Sequence, residues 1–233
     1  MIAKARTIAR RLRRLGTDYG AFARTTPFST SFGFDRGLPV DRYYIERFLR
    51  EHAADIRGRT LEVGDDAYTR QFGGEHAYPR DTIHIDPAEP ATFHGDLTQP
   101  GVLPEGAFDC IVFTQTLHLI YDMRLAMRRL HDALKPGGVL LLTVPGISPI
   151  AADRWGETWF WSLTPDSLGR LCDEPFGSGQ TQIGCHGNVF SATAFLYGLA
   201  MHELSAGQLD TFDPRYPVIV TARAERAIAQ RSN

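Results

Sequence analysis

Short apolar runs alternate with longer mixed segments along the chain, and this alternation predicts strands separated by helices and loops. Six runs are predicted as strands: 60–64, 82–86, 108–114, 138–144, 179–185 and 216–223. The runs at 108–114 and 138–144 are almost continuously apolar, as is typical of central parallel strands that are covered on both faces. The sequence therefore predicts an α/β fold with a doubly wound, mostly parallel sheet.

Capping residues mark helix starts between these runs. Asp41 and Asp122 are each predicted to cap the N-terminus of an amphipathic helix. Thr164 followed by Pro165 predicts a third start, with an N-cap before a proline at the first helical position. A fourth helix is predicted over 189–204.

The first 40 residues differ in composition from the rest. Their first sixteen hold five arginines and one lysine, and they predict an amphipathic helix with four of the arginines on one face. A loop or lid follows over residues 17–40. This helix fits peripheral contact with an anionic membrane surface, or packing against its own domain or a second subunit. Residues 41–233 are predicted to form one domain, with insertions near 146–163 and 186–215.

Composition narrows the class of protein. The 233 residues are 43% apolar with a net charge of −2, which suits a globular domain and offers no cationic surface for nucleic acid. Cys110, Cys172 and Cys185 lack metal-type spacing, and Cys110 is predicted to be a buried free thiol in a reducing compartment. With no apolar run near the roughly 20 residues of a membrane span and no secretory signal, a cytoplasmic location is predicted.

Glycine and acidic residues stand at the ends of predicted strands. Gly64 ends the first strand, where the absence of a side chain lets a ligand approach the backbone closely. Asp86 closes the second strand, where a carboxylate can accept hydrogen bonds from two ribose hydroxyls. Asp96 and Leu97 follow in a second acidic turn, which is suited to an adenine ring.

Taken in order, these motifs resemble those of the class I S-adenosylmethionine-dependent methyltransferases. LEVG is similar to the first motif of that family, HID to the second and GDL to the adenine-binding motif. FDCIVFTQTLHLI resembles the fourth-strand motif, and LKPGGVLLLTVPG the motif from helix to fifth strand. The resemblance covers about residues 40–146 and implies a seven-stranded Rossmann-like sheet, a methyltransferase and S-adenosylmethionine as its cofactor.

The resemblance also implies cofactor contacts at eight positions: Glu62, Gly64 and Asp65 at the methionine end, Asp86 at the ribose, Asp96 and Leu97 at the adenine, and Thr114 and Gln115 at the sulfonium. One departure concerns the usual GxGxG, because Asp66 and Tyr68 replace the second and third glycines. Carboxylates at this turn would repel a pyrophosphate but suit an ammonium and a sulfonium, so NAD is the poorer candidate.

The acceptor is predicted to be a hydroxyl. Amino-methylating relatives carry a polar-Pro-Pro-aromatic tetrapeptide after the fourth strand, whereas this chain has Thr114-Gln115-Thr116-Leu117. His118 comes next and is a candidate general base that titrates near neutral pH, although it could instead cap or pack the following helix. His186, which borders the predicted late helix, is a second candidate base, and both histidines could face one acceptor.

All three tryptophans, Trp155, Trp159 and Trp161, lie in the insertion after the fifth strand, with charged residues between them. Their faces suit a carbohydrate, and the alternative is an aromatic core within an irregular loop. The C-terminal part of the chain also resembles methyltransferases of bacterial surface-sugar and polysaccharide pathways, including methylmannose polysaccharides.

The sequence therefore predicts an O-methyltransferase that acts on a sugar or oligosaccharide hydroxyl. Two alternatives stay open: an O- or C-methyltransferase of a small aromatic or lipid-like acceptor, and a non-catalytic scaffold with the same fold. No metal site is predicted, because Asp122, Asp153 and Glu157 have no recognisable ligand spacing. An oligomer is compatible with the sequence.

Overall fold

Seven strands form a single sheet in the computed structural model, which describes residues 18–228. In chain order the strands are β1 (Gly58–Val63), β2 (Ala77–His84), β3 (Phe93–His94), β4 (Phe108–Thr114), β5 (Leu134–Pro145), β6 (Thr181–His186) and β7 (Ile219–Glu225). Their order across the sheet is β3-β2-β1-β4-β5-β7-β6, in which β7 runs antiparallel to β5 and β6 and the other pairs are parallel. The predicted doubly wound, mostly parallel sheet is confirmed.

Helices cover both faces of this sheet. The helices are α1 (Val40–Glu51), α2 (Met123–Ala133), α3 (Pro165–Phe176), α4 (Val189–Leu196) and α5 (Ala206–Asp210). One core includes α2, α3 and inward residues of the central strands: Met127, Leu130, Leu168, Leu140 and Leu142. The opposite core includes α1, α4 and the alternate residues of the same strands: Tyr44, Phe48, Phe195, Val112 and Leu141. The alternation along β5 explains why its residues 139–142 are all apolar.

Two of the predicted helix starts are confirmed. The Asp122 side chain accepts a hydrogen bond from the Leu125 amide at 3.0 Å. At the start of α3, the Thr164 hydroxyl accepts from the Ser167 amide at 3.2 Å, and the Ser167 hydroxyl accepts from the Thr164 amide at 2.9 Å. This reciprocal pair satisfies two amides that the first helical turn leaves unpaired.

The prediction that Asp41 caps α1 is wrong. The helix begins at Val40, and the N-cap position belongs to Pro39, which has extended backbone angles. Asp41 therefore lies in the first turn of the helix, where its side chain is buried. An aspartate one residue inside a helix start looks the same in sequence as a capping aspartate, because both precede an amphipathic run.

The predicted helix over 189–204 is shorter than expected. It ends at Leu196 because Gly198 follows with φ +70°, and a side chain at Gly198 would lie 2.4 Å from the Ser29 carbonyl oxygen. The amide of Phe28 also donates to the Tyr197 carbonyl at 2.8 Å. The close approach at Gly198 thus lets the loop over residues 18–39 pack on the end of α4. The predicted N-terminal basic helix lies outside the described residues.

Two further observations concern the described part of the chain. Cys110 is buried and free, as predicted, and burial raises the pKa of its thiol. Within residues 18–228, no helix is long and apolar enough to cross a bilayer.

We expect Asn188→Ala to lower the free energy of unfolding by about 2–4 kcal/mol. The buried Asn188 side chain accepts from the amides of Phe190 and Ser191, and its amide group donates to the carbonyls of Gln208 and Thr211. Asn188→Ser keeps only the helix cap, so its free energy of unfolding should lie between those of wild type and Asn188→Ala. Urea unfolding followed by circular dichroism measures this, and an Asn188→Ala protein as stable as wild type would contradict it.

Candidate functional site

A cavity of about 730 Å³ lies at the carboxyl ends of β1, β2 and β4. Strand-end residues on its wall include Gly64, Ile83 and Gln115. Ligands of doubly wound sheets bind at this edge, and the volume falls within the roughly 300–1,000 Å³ of small-molecule sites.

Two residues on the cavity wall have an unusual backbone conformation. Phe32 (φ 57°) and Gln115 (φ 47°) are the non-glycine residues with left-handed φ in the described chain, and both line the cavity. Gln115 is held there by Thr143 of β5, whose carbonyl accepts from the Gln115 amide at 2.9 Å. The Gln115 side-chain amide also donates to the Thr143 hydroxyl at 3.2 Å. Such costly conformations cluster at functional sites, where surrounding contacts maintain them.

Four of the eight predicted cofactor residues line the cavity: Gly64, Asp96, Leu97 and Gln115. A side chain at Gly64 would meet nothing within 4 Å, so open space lies directly in front of its backbone. Asp96 accepts from the Thr98 amide at 2.8 Å, which fixes its carboxylate at the cavity wall. These residues bring the end of β1, the turn after β3 and the end of β4 together on one cavity wall.

Glu62 and Asp65 do not line the cavity, because local amides bind both carboxylates. Glu62 is buried beneath the loop after β1 and accepts from the amides of Tyr68 at 3.1 Å and Thr69 at 2.7 Å. Burial raises the pKa of Glu62 to about 7, although these two hydrogen bonds oppose the rise. Asp65 accepts from the Ala67 amide at 2.9 Å. Glu62 is therefore a positioning residue for the loop.

Asp86 and Thr114 also lie outside the cavity lining. Strand β2 ends at His84, two positions before Asp86, and the Asp86 carboxylate pairs with the Arg154 guanidinium at 2.9 Å. The pKa of Asp86 is lowered by the Ala88 amide and by Arg154. Arg154 belongs to the insertion after β5, so this ion pair joins the insertion to the end of β2.

His118 lines the cavity and is almost fully buried. Its ring lies edge-on to Trp159, with 4.4 Å between ring centroids, and it is 1% exposed. Neither ring nitrogen has a hydrogen-bond partner among residues 18–228. Burial lowers the pKa of His118 to about 4, well below the ordinary value that the sequence suggested. A buried imidazole with two unpaired nitrogens is a candidate for contact with a bound molecule.

Only one of the two candidate bases, His118, lies at the cavity. His186 ends β6 at the far edge of the sheet, where its ring stacks on Tyr44 at 6.0 Å, and it does not line the cavity. Burial lowers the pKa of His186 as well. The sequence could not separate the two histidines, because strand order decides which of them reaches the cavity.

The three tryptophans do not all reach the cavity. Trp155 and Trp159 line the cavity, whereas Trp161 lies outside it. The Trp161 indole donates to the Ile120 carbonyl at 3.2 Å, and its ring packs beside Tyr121 at 5.7 Å. Trp161 therefore packs against the turn after β4.

Sequence reasoning missed part of the wall, which comes from the loop over residues 18–39 and from the first turn of α1. These residues are Thr30, Ser31, Phe32, Phe34, Asp41 and Arg42. Asp41 Oδ1 is buried without a hydrogen-bond partner in the described chain, and burial raises the pKa of Asp41. The guanidinium of Arg42 lies 4.0 Å from the other carboxylate oxygen, Asp41 Oδ2. The only sequence signal was the acidic residue at the helix start.

No group of three or more histidine, cysteine, aspartate or glutamate side chains could hold a metal ion within residues 18–228.

Comparison with known proteins identifies the family. Residues 15–195 match the family model described as Methyltransferase domain (Methyltransf_23). No curated protein sequence matches the chain.

Solved structures share the fold. An S-adenosylmethionine-dependent methyltransferase from Mesorhizobium loti is 19% identical, with a TM-score of 0.52 over 80% of this chain and 100% of that chain. A SAM-dependent methyltransferase from Archaeoglobus fulgidus is 12% identical, with a TM-score of 0.53 over 79% and 94% of the two chains. Phosphoethanolamine N-methyltransferase 2 from Haemonchus contortus, in complex with S-adenosyl-L-methionine, is 12% identical, with a TM-score of 0.51 over 86% and 60%.

The cavity wall fits S-adenosylmethionine. The open backbone at Gly64 leaves room beside β1, and the Asp96 carboxylate with the neighbouring Leu97 forms the other end, near β3. The unpaired Asp41 carboxylate also suits a positively charged ligand. The chain belongs to the methyltransferase-domain family and is an S-adenosylmethionine-dependent methyltransferase.

Proposed function

We propose that the enzyme methylates a hydroxyl group of a sugar or oligosaccharide. The acceptor half of the cavity is the part lined by the loop over residues 18–39, the turn after β4 and the insertion after β5. The observation that carries this proposal is its mixed wall, where Trp155 and Trp159 lie among polar side chains such as Ser31, Asp153 and Thr158. Aromatic faces pack on the C–H groups of a sugar, and the polar side chains can bind its hydroxyls. When bound, S-adenosylmethionine supplies an electrophilic methyl group on a positively charged sulfur.

His118 is the residue that we propose to receive the acceptor proton. A sugar hydroxyl is a weak acid, so its proton must leave as the oxygen forms its new bond to carbon. The His118 ring is neutral at pH 7, and either Nδ1 or Nε2 is free to accept a hydrogen bond from the hydroxyl. Trp159 against the ring restricts its orientation and excludes water from one side.

A second acceptor class is favoured by the packing of the two tryptophans. Phe32 stacks on Trp159 with 5.9 Å between centroids, and the Arg154 guanidinium covers Trp155 at 4.8 Å. These contacts leave less aromatic face for a sugar and add to an apolar wall that includes Phe34 and Ile120. A small aromatic or lipid-like molecule with a hydroxyl group fits such a wall.

We expect mono- or oligosaccharides with free hydroxyls to raise S-adenosylhomocysteine production above the acceptor-free rate. The measurement compares a panel of sugars with catechols, quinols and long-chain phenols at equal concentration. Turnover with the phenolic acceptors and none with any sugar would reject the proposal in favour of the second class. Methylated product should be identified by mass spectrometry in each case.

We expect Trp159→Ala to raise the KM for the acceptor about tenfold or more, because it removes an aromatic wall of the acceptor half. Trp161→Ala is the matched control, since Trp161 lies in the same insertion but outside the cavity. Steady-state kinetics and calorimetric S-adenosylhomocysteine binding separate the acceptor from the cofactor. Equal effects of the two substitutions on KM would contradict the assignment.

We expect His118→Gln to lower kcat by roughly 10²–10⁴-fold, the usual effect of removing a general base, with near-native affinity for S-adenosylhomocysteine. His186→Ala, outside the cavity, is the control and should keep normal turnover. In wild type, activity should fall on acidification only near pH 4, where the buried imidazole gains its proton.

The same titration has a consequence for stability. Since the unfolded chain binds this proton near pH 6.5 and the folded chain near pH 4, acidification through that window should cost up to roughly 3 kcal/mol of folding free energy. His118→Gln should remove this loss. An NMR titration that places the His118 pKa between 6 and 7 would contradict both expectations.

A further inference from the structure

We propose that Asp41 and Arg42, in the first turn of α1, hold the methionine end of S-adenosylmethionine, with Asp41 binding the ammonium and Arg42 the carboxylate. Both residues line the cavity that also contains Gly64. They are adjacent in sequence and of opposite charge, which matches the two opposite charges of an amino-acid group. The pair is therefore called the α1 clamp.

The loop after β1 offers few groups that could bind the methionine end of the cofactor. The family usually has three glycines there, and this chain keeps only Gly64. Asp66, at the second glycine position, is bound by Arg70 and by Arg80 at 3.1 Å. Tyr68, at the third, brings a bulky side chain that lies beside Arg42. The loop therefore offers the methionine end less exposed backbone than a three-glycine loop, and it places Arg42 next to that end.

The carboxylates that the family resemblance assigned to this end are engaged elsewhere. Glu62 accepts two backbone amides beneath the loop, and Asp65 accepts the Ala67 amide. Neither side chain lines the cavity. A ligand ammonium that enters the cavity near Gly64 therefore needs another carboxylate.

Asp41 meets that need. Asp41 is only 7% exposed, and its Oδ1 atom has no hydrogen-bond partner within residues 18–228. Leaving a buried carboxylate oxygen unpaired costs free energy, which a bound ammonium recovers. Burial raises the pKa of Asp41, as expected for a buried carboxylate before a positively charged ligand group binds to it.

Arg42 is likewise available. Its shortest contact with a carboxylate in the described chain is 4.0 Å, to Asp41, which is too long for a hydrogen bond. Its guanidinium lies over the Phe34 ring, 5.5 Å from the centroid, and beside the Tyr68 hydroxyl. These two side chains orient the guanidinium, and no carboxylate of the described chain occupies its N–H groups within hydrogen-bond distance. A guanidinium is suited to two parallel hydrogen bonds with a ligand carboxylate.

Three adenosine ligands test the clamp by calorimetry. S-adenosylhomocysteine carries both charged groups, its decarboxylated analogue keeps only the ammonium, and 5′-methylthioadenosine has neither. Asp41→Asn should weaken the first two by about tenfold to a hundredfold and leave methylthioadenosine within about twofold. Arg42→Gln should weaken S-adenosylhomocysteine by a similar factor and leave the other two ligands within about twofold.

Glu51→Gln is the matched control, because Glu51 is the last residue of α1, pairs with Arg47 at 3.0 Å and does not line the cavity. It should bind all three ligands as wild type does. An equal loss of affinity for all three ligands in either variant, or no loss for S-adenosylhomocysteine, would overturn the proposal. If Asp41→Asn does not fold, the less buried Arg42 still gives the decisive comparison between S-adenosylhomocysteine and its decarboxylated analogue.

Discussion

The acceptor half of the cavity depends on the turn that follows β4, where Thr143 of β5 holds Gln115 in a left-handed conformation. From this turn the chain brings His118 to the cavity wall. Trp159 packs on His118, Phe32 stacks on Trp159, and Phe195 of α4 packs on Phe32 at 6.1 Å. The Phe160 amide also donates to the His118 carbonyl at 3.2 Å. Three distant segments of chain thus meet around one backbone conformation.

Most of the sheet could be predicted from the sequence, because its signals are local. A buried parallel strand must be apolar on both faces, and β4 shows this in the four consecutive residues 110–113. Thr164 with Pro165 marks a helix start through the hydrogen bonds of its own first turn. Strand β3 left no such signal, because a run of two residues has no periodicity to detect. The start of α1 was misplaced by two residues, because an aspartate in the first turn looks the same in sequence as a capping aspartate.

The cofactor half of the site was also partly predictable. Gly64 and Gln115 follow directly from strand ends, and the sheet topology fixes where those ends meet. The direction in which a carboxylate points could not be predicted from the sequence. Glu62, for example, turns away from the cavity because the amide of Thr69, seven residues later, donates to it. The wall contributed by the loop over residues 18–39 depends on the contact between Gly198 and Ser29, which no local pattern records.

The two halves of the cavity are built by parts of the chain that contribute differently to the folded core. The strand ends that line the cofactor half also build the core, so substitutions there affect folding as well as binding. The acceptor half is formed by the loop over residues 18–39, the turn after β4, the insertion after β5 and Phe195 of α4. Those segments lie outside the central strands. Substitutions in these segments can therefore change the choice of acceptor during evolution. The sheet and the binding of the cofactor need not change with it.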